Sequence, residues 1–292
     1  MINTVLGVDI GGSHITAALV DLETKAIVAG SGKRKFVDSN GRAEEILNSW
    51  CTLIEETFKE HGIMNKRIGI AMPGPFDYEQ GISLIRDQEK FRSLYQMNLK
   101  EALAERLGMD SEGIVFINDA AAFLQGEVFG GAAMDCDPVL GLTLGTGLGA
   151  AMSHDGEAED AALWNSPFKD GIAEDYLSTR WFLNAYQELT GKEIRGVKEL
   201  TELDHSDQGV HELFQEFAGN LADFISDQAH AHDAEAVVLG GNISNAHEYF
   251  LPALMLALEE KGSALEIRIA QLKEDAALIG AASCLRDLQK PH

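Results

Sequence analysis

The chain has 292 residues, of which 45% are hydrophobic and 24% are charged, a composition of globular proteins rather than of disordered or fibrous chains. Its length predicts two domains. The formal net charge of -24, from 23 Lys and Arg against 47 Asp and Glu, opposes binding to nucleic acid or to an anionic membrane. No stretch approaches the ~18 apolar residues of a membrane span, and the first residues do not resemble a secretion signal, so we expect a cytoplasmic protein.

Strands and helices alternate through the first half of the chain. An apolar strand from Leu6 to Ile10 runs into Gly11-Gly12-Ser13, and a second strand follows, which predicts a hairpin with a glycine turn. The spacing of apolar residues and the positions of Gly and Pro predict strands at 25–33, 67–72 and 113–117 and helices at 42–61 and 99–107. This alternation is typical of a mixed sheet with helices on its faces.

The second half begins with the same unit. A strand over 139–144 runs into the turn Gly145-Thr146-Gly147-Leu148-Gly149 and then into another strand. The remaining predicted elements are helices at 171–189, 210–231, 244–261 and 275–288 and a strand at 236–239. Two copies of one supersecondary unit predict an α/β protein of two duplicated domains with a cleft between them. We place the first domain at 1–121, with a C-terminal helix at 276–292 packing back on it, and the second at 122–275.

Glycine in both turns predicts anion binding. Backbone N–H groups at Gly11 and Gly12 can approach an anion because no Cβ stands in the way, although a tight turn alone would also use glycine. The second turn, at 145–149, favours the functional interpretation, since two anion-binding turns across a cleft would hold a nucleoside triphosphate. Neither turn matches the P-loop pattern, and neither opens the helix of a dinucleotide-binding unit.

Two carboxylates lie at or just beyond the ends of predicted strands. Asp9 is either a solvated residue at a strand end or a ligand that holds Mg²⁺, through water, between the phosphate-binding turns. Asn118 and Asp119 would suit the N-cap of the next helix, because Asn and Asp are preferred there. Phosphoryl transfer also needs a carboxylate that accepts the proton of the attacking hydroxyl, and we predict that Asp119 is this general base.

Five motifs together resemble the ROK family of sugar kinases and regulators, within the actin-like, hexokinase-like ATPase superfamily. In family order, the motifs are Leu6 to Gly12, Ala71 to Pro75, Asn118 to Gly130, Leu142 to Gly149 and Leu239 to Gly241. The resemblance covers nearly the whole chain. It implies two actin-like ATPase domains, an ATP-dependent sugar kinase activity with Mg²⁺, and a homodimer.

The resemblance also implies roles for individual residues. Asp119 would deprotonate a sugar hydroxyl, and the sugar would be held by Gly74, Pro75 and Asn118. The nucleotide would contact both glycine turns and the segment after the strand at 236–239, which supply Asp9, Gly11, Gly12, Ser13, Gly145, Thr146, Gly147, Gly149, Gly240, Gly241 and Asn242.

The chain departs from the family at one segment. The family carries Glu-x-Gly-His and then a zinc-binding cysteine cluster, whereas this chain reads Ala162-Leu163-Trp164-Asn165 and then Lys169 to Glu174. Zinc needs about four N or S ligands, so we expect no structural zinc. Glu174 matches the family Glu that contacts the sugar, and Asn165 stands in place of the family His. Trp164 and Asn165 either contact the sugar or form a packed aromatic beside a loop amide.

The predicted function is ATP-dependent phosphorylation of a hydroxyl of a hexose or an N-acylated amino sugar. The altered segment at 162–165 keeps open a catalytically silent sugar-binding or regulatory protein of the same family. Transcription regulators of the family carry an added helix-turn-helix domain. The first motif begins at Leu6, so we expect no such domain before it, and the acidic charge balance also disfavours DNA.

Overall fold

The computed structural model describes residues 3–86, 90–203 and 208–286. The helices are α1 (Ala43–Glu60), α2 (Leu99–Leu107), α3 (Asp119–Gly130), α4 (Ala173–Tyr176), α5 (Thr179–Thr190), α6 (Val197–Glu202), α7 (Gln208–Ala231), α8 (His247–Glu260) and α9 (Ala276–Ser283). The strands are β1 (Thr4–Ile10), β2 (His14–Asp21), β3 (Ala26–Ile27), β4 (Lys33–Phe36), β5 (Ile68–Met72), β6 (Phe76–Asp77), β7 (Ile82–Ser83), β8 (Ile114–Asn118), β9 (Val139–Leu144), β10 (Leu148–His154), β11 (Glu157–Asp160), β12 (Pro167–Phe168), β13 (Gly171–Ile172), β14 (Ala236–Gly240) and β15 (Glu266–Ile269). None of the helices in these ranges is long and apolar enough to cross a bilayer.

The chain divides into two compact units. The first contains the residues up to Gly130 and those from Glu274 onward, and the second contains Gly131 to Lys273. The division falls after Gly130 rather than after residue 121, because α3 packs against α9 within the first unit. Of the predicted helix at 276–292, the structure describes α9, and residues 287–292 lie outside the described ranges.

The first unit is built on a mixed sheet. Among its described residues the strand order is β3-β2-β1-β5-β8, and β4 also pairs with β2. β1 and β2 are antiparallel, whereas β1, β5 and β8 are parallel neighbours. Helix α1 buries one apolar stripe that includes Trp50, Leu53 and Phe58, as its helical spacing predicts. Because β1, β5 and β8 are parallel, their carboxyl ends lie along one edge of this sheet.

Glycine allows α9 to pack directly on α3. A Cβ added at Gly126 would overlap the carbonyl oxygen of Ala276, and one added at Gly280 would overlap the carbonyl oxygen of Ala122. The two helix backbones can touch only because these positions have no side chain. The contact fixes α3, which begins at Asp119, against the rest of the first unit.

The second unit repeats the arrangement around its first strand. The strand order is β11-β10-β9-β14-β15 over the residues that the structure describes. β9 and β10 are antiparallel, whereas β9, β14 and β15 are parallel neighbours. The core contains a cluster of aromatic rings from α5, α7 and α8, including Phe182, Phe217 and Phe250. In both units a hairpin with a glycine turn lies beside a parallel strand, as the duplicated motif predicts.

The predicted strand at 25–33 is wrong. Residues 26–27 form the short strand β3, and regular pairing resumes only at β4. Gly30 has a φ of 77°, which bends the chain out of the sheet. The hydroxyl of Ser31 then accepts a hydrogen bond from the N–H of Leu19 at 3.0 Å, so a side chain satisfies a donor of the neighbouring strand.

The long helix predicted at 171–189 is also wrong, because it is broken into α4 and α5. Ser178 between the two helices has an extended backbone, with φ of -123° and ψ of 168°. The next N–H group, of Thr179, donates to the carbonyl oxygen of Gly145 at 2.7 Å. This donor supports the second glycine turn instead of continuing a helix.

Candidate active site

The first glycine turn connects β1 to β2 with an exposed backbone. The N–H of Gly11 donates to the carbonyl oxygen of His14 at 2.9 Å, which closes the turn. Gly11, Gly12 and Ser13 are all exposed. A Cβ added at Gly12 would lie 3.4 Å from Cδ of Lys90, so the stem of a cationic side chain packs beside the turn. The Gly11 N–H is used within the turn, so Gly12 and Ser13, exposed next to a cation, are the positions that favour an anionic ligand.

Asp9 lies partly buried at the carboxyl end of β1. Burial and then repulsion by Asp119 raise the pKa of its carboxyl from 3.8 to about 6, and Arg34 opposes the rise. Arg34 reaches this position through the sheet register, since Asp9 pairs with Thr16 and Thr16 pairs with Arg34. A carboxylate that is partly desolvated and faces a second carboxylate suits a divalent cation.

The candidate base lies at the junction of β8 and α3. Asn118 is buried, and its Oδ1 accepts hydrogen bonds from the N–H groups of Ala120 at 2.8 Å and Ala121 at 3.1 Å. Asp119 is exposed, and its Oδ1 accepts from the same N–H of Ala120 at 2.9 Å. Asn118 therefore provides most of the N-cap. Asp119 is therefore an exposed residue with only a secondary part in the cap.

The predicted sugar-side loop follows β5 beside this junction. Met72 and Asn118 are paired at the ends of the parallel strands β5 and β8, so the loop with Gly74 and Pro75 leaves the sheet next to the candidate base. The hydroxyl of Tyr78 donates to the carbonyl oxygen of Met72 at 3.1 Å and accepts from Nδ2 of Asn118 at 3.2 Å. Tyr78 is not among the residues predicted from the sequence. Its position just beyond the loop was the available signal.

The second glycine turn connects β9 to β10 and is held by α4 and α5. Its Gly145 N–H donates to the carbonyl oxygen of Gly147 at 3.0 Å, and Thr146 at its tip is exposed. The carboxylate of Glu174 accepts from the N–H of Leu148 at 3.1 Å, and its other oxygen lies 2.8 Å from the Arg180 guanidinium. The structure thus places Glu174 against the turn that was predicted to bind phosphate.

The third predicted nucleotide segment, Gly240 to Asn242, lies beside this turn within the second unit. Gly240 at the end of β14 pairs with Thr143 of β9. Gly241 has a φ of 82°, and a Cβ there would overlap the carbonyl oxygen of Leu144, so both its conformation and its surroundings require glycine. Asn242 follows and is exposed. The two nucleotide segments predicted for the second half are therefore brought together.

The altered segment is mostly exposed. Trp164 is 46% exposed, so it is not part of the buried core, and Asn165 is exposed beside it. Ala162 takes a left-handed backbone conformation with φ of 49°, which is strained for a residue with a Cβ. In the hairpin of β12 and β13 that follows, Phe168 packs edge-on against the rings of Tyr176 and Phe224.

The residues in place of the family's zinc element do not fit zinc. The cysteines, Cys51, Cys136 and Cys284, are free thiols far apart in the sequence. Over the described ranges, no group of three or more His, Cys, Asp and Glu side chains is arranged to hold a metal ion.

The predicted site residues fall into two sets. The first unit holds Asp9, Gly11, Gly12, Ser13, Gly74, Pro75, Asn118 and Asp119. The second unit holds Gly145, Thr146, Gly147, Gly149, Asn165, Glu174, Gly240, Gly241 and Asn242. Each set clusters at the carboxyl edge of its own sheet, except Asn165, which lies in the altered segment. The prediction that both glycine turns line one cleft stays a prediction.

Two mixed sheets, each begun by a strand, a glycine turn and a strand, define a protein of the actin-like ATPase fold. The sequence model of the ROK family matches residues 5–160 and 169–287. The chain therefore belongs to the ROK family. The gap in this match, at 161–168, contains the altered segment.

Several known proteins are similar to the chain over almost its full length. A glucokinase from Thermotoga maritima is 24% identical over 97% of both chains. An N-acetylmannosamine kinase from Escherichia coli is 25% identical over 96% of this chain and 97% of its own. The crystal structure of a ROK family glucokinase from Streptomyces griseus, in complex with glucose and AMPPNP, has a TM-score of 0.78 and 24% identity over 97% of this chain and 99% of its own. This structural likeness shows the fold.

Proposed function

We propose that the chain is an ATP-dependent sugar kinase that phosphorylates a hydroxyl of a hexose or an N-acylated amino sugar. The observation that carries the proposal is the junction of β8 and α3, where Asn118 does most of the capping and the Asp119 carboxylate is exposed. The relatives named glucokinase and N-acetylmannosamine kinase support this class of reaction. A cytoplasmic location, a homodimer and the absence of nucleic acid partners stay predictions.

In the proposed reaction Asp119 is the general base. The oxygen of a sugar hydroxyl attacks the γ-phosphorus of ATP, and the hydroxyl proton passes to the Asp119 carboxylate. The bond between the γ-phosphorus and its bridging oxygen breaks, which releases ADP. An exposed carboxylate at a fixed helix start suits this role, because phosphoryl transfer depends mainly on positioning.

The glycine turns and Asp9 would serve the nucleotide. Backbone N–H groups of both turns would bind phosphate oxygens, except those of Gly11, Gly145 and Leu148, which already have acceptors within the chain. The segment from Gly240 to Asn242 would lie against the nucleoside. Mg²⁺, when bound, would neutralise phosphate charge, and Asp9 would hold it through water. Asp9 fits this role because repulsion from Asp119, which contributes to its raised pKa, would be offset by a divalent cation.

The sugar would contact Gly74, Pro75 and Asn118, with Asn165 a further candidate. For Glu174 we propose a different role from the family's sugar contact. One of its carboxylate oxygens accepts from the N–H of Leu148 and the other pairs with Arg180, so Glu174 holds the second glycine turn. It would then affect nucleotide binding more than sugar binding.

A catalytically silent sugar-binding protein is the second candidate. The family match is interrupted at 161–168, and the structure gives that segment a strained Ala162 and an exposed Trp164. Because fold alone does not decide activity, such a change can remove turnover while sugar binding persists.

A coupled assay of ADP release would separate the two candidates. The purified chain is incubated with ATP, Mg²⁺ and a panel of hexoses and N-acylated amino sugars, and sugar binding is measured by calorimetry on the same panel. Sugar-dependent ADP release supports the kinase. Binding of a sugar without ADP release supports the silent protein. If no sugar on the panel either binds or causes ADP release, both candidates are contradicted.

A further inference from the structure

The Tyr78 hydroxyl joins the ends of two neighbouring parallel strands. It donates to the carbonyl oxygen of Met72 at 3.1 Å and accepts from Nδ2 of Asn118 at 3.2 Å. Met72 and Asn118 are the paired residues at the ends of β5 and β8. The hydroxyl therefore directs its proton to one strand and a lone pair to the other.

These contacts define the orientation of the Asn118 amide. Its Nδ2 donates to Tyr78, while its Oδ1 accepts from the N–H groups of Ala120 and Ala121. A reversed amide would point an NH₂ group at two helix donors. It would also point its oxygen at a hydroxyl that already donates its proton to the carbonyl oxygen of Met72. Tyr78 thus favours the one orientation that caps α3.

Tyr78 is itself held between the core and the sugar-side loop. Its ring centroid lies 5.2 Å from that of Phe76, which lies 4.9 Å from that of Phe116. A Cβ added at Gly74 would lie 3.2 Å from the Tyr78 hydroxyl oxygen, which is closer than an ordinary van der Waals contact. The loop at Gly74 therefore packs on the same hydroxyl that orients Asn118.

We infer that Tyr78 is a positioning residue, which acts through Asn118 to fix the start of α3, and with it the Asp119 carboxylate, relative to the loop at Gly74. The inference rests on the proposed function, since it gives Tyr78 a part in the same reaction. Its hydroxyl bonds to residues at the ends of β5 and β8, whereas its ring packs against Phe76 in the core. Removing the hydroxyl alone therefore tests the positioning role without disturbing the packing.

The Tyr78→Phe variant removes the hydroxyl and keeps the ring. The variant loses both hydrogen bonds of the hydroxyl, and the loss of the one from Nδ2 frees the Asn118 amide. Hydrogen exchange at the N–H groups of Ala120 and Ala121, followed by NMR, should therefore become about tenfold faster. With the sugar found in the ADP-release assay, kcat should fall about tenfold, while KM for ATP changes less than about twofold.

Tyr95→Phe is the matched control. It makes the same chemical change in the same unit, on a ring that is 38% exposed. Its exchange rates at Ala120 and Ala121 and its kcat should equal those of the unaltered chain. Thermal melting of both variants shows whether either change unfolds the protein.

Each outcome decides the inference. Faster exchange together with lower kcat in Tyr78→Phe supports it. Unchanged exchange overturns it, and so does faster exchange with unchanged kcat, because the junction would then not govern the reaction. If the unaltered chain phosphorylates no sugar, the proposed function fails, and exchange alone decides whether Tyr78 fixes the junction: faster exchange supports that role and unchanged exchange overturns it.

Discussion

Replacing Asp119 with Asn should remove most of the catalytic rate and leave the fold nearly unchanged. The N-cap of α3 comes mainly from Asn118, and an Asn at position 119 can still accept from the N–H of Ala120. The loss of a negative charge at a helix N-terminus costs about 0.3–1 kcal/mol. Repulsion between Asp119 and Asp9 disappears at the same time, which offsets part of this cost. The melting temperature should therefore fall by no more than about 4 °C.

The effect on catalysis is expected to be much larger. A positioned general base is typically worth about 10²–10⁴-fold in rate, which corresponds to about 3–5 kcal/mol of transition-state stabilisation. The Asp119→Asn variant should lose this much kcat with the sugar found in the ADP-release assay. KM for ATP should change less than about threefold, since the glycine turns are untouched.

The control for this experiment is Asp110→Asn. Asp110 is exposed, and its Oδ1 accepts from the N–H of Glu112 at 3.0 Å, so it makes the same kind of local contact just before β8. Its kcat should not change. Near-normal kcat in a folded Asp119→Asn protein would refute the proposed mechanism, because Asp119 would then be only a helix-end residue or a sugar contact.

Three further substitutions test other parts of the structure. Because the fold raises the pKa of Asp9 from 3.8 to about 6, its ionised form costs up to about 3 kcal/mol. This cost is absent below pH ~4 and complete above pH ~6. The free energy of unfolding of Asp9→Asn, measured in urea, should therefore rise relative to that of the unaltered chain between these pH values. A difference that does not change with pH would contradict the raised pKa. Glu174→Gln should raise KM for ATP about tenfold and leave KM for the sugar unchanged in steady-state kinetics. A higher KM for the sugar alone would instead support the sugar contact that the family resemblance implies for Glu174. Gly280→Ala should destabilise the fold by at least about 3 kcal/mol in the same unfolding experiment, since the new Cβ overlaps the Ala122 carbonyl. The control Gly219→Ala in α7, where a Cβ meets nothing within 4 Å, should stabilise by up to about 1 kcal/mol, and equal effects of the two would contradict the close helix contact.

Local patterns in the sequence predicted most of the regular structure. The bounds of α2 and β9 match the predicted ones, and α2 is followed by Gly108 in the left-handed conformation that glycine favours after a helix. Both glycine turns lie where a strand ends, as predicted. These features depend on neighbouring residues, and apolar spacing and glycine report them directly.

Contacts between distant segments could not be predicted in this way. The helix break at Ser178 depends on a hydrogen bond from Thr179 to Gly145, which is more than thirty residues earlier in the chain. The position of Glu174 against Leu148 likewise depends on how α4 packs on the second turn. A sequence pattern that predicts a helix contains no information about which distant acceptor will take one of its N–H groups.

The sequence by itself determined the fold class, the two glycine turns and the pair of polar residues that follows β8, because strand and turn preferences act over a few residues. Only the tertiary structure decided which of the two, Asn118 or Asp119, provides most of the cap of α3. Pairing of β5 with β8 brings Met72 beside Asn118, and Tyr78 then bonds to both. The buried amide caps α3 and the carboxylate of Asp119 stays exposed, since each side chain takes the partners that folding places within reach.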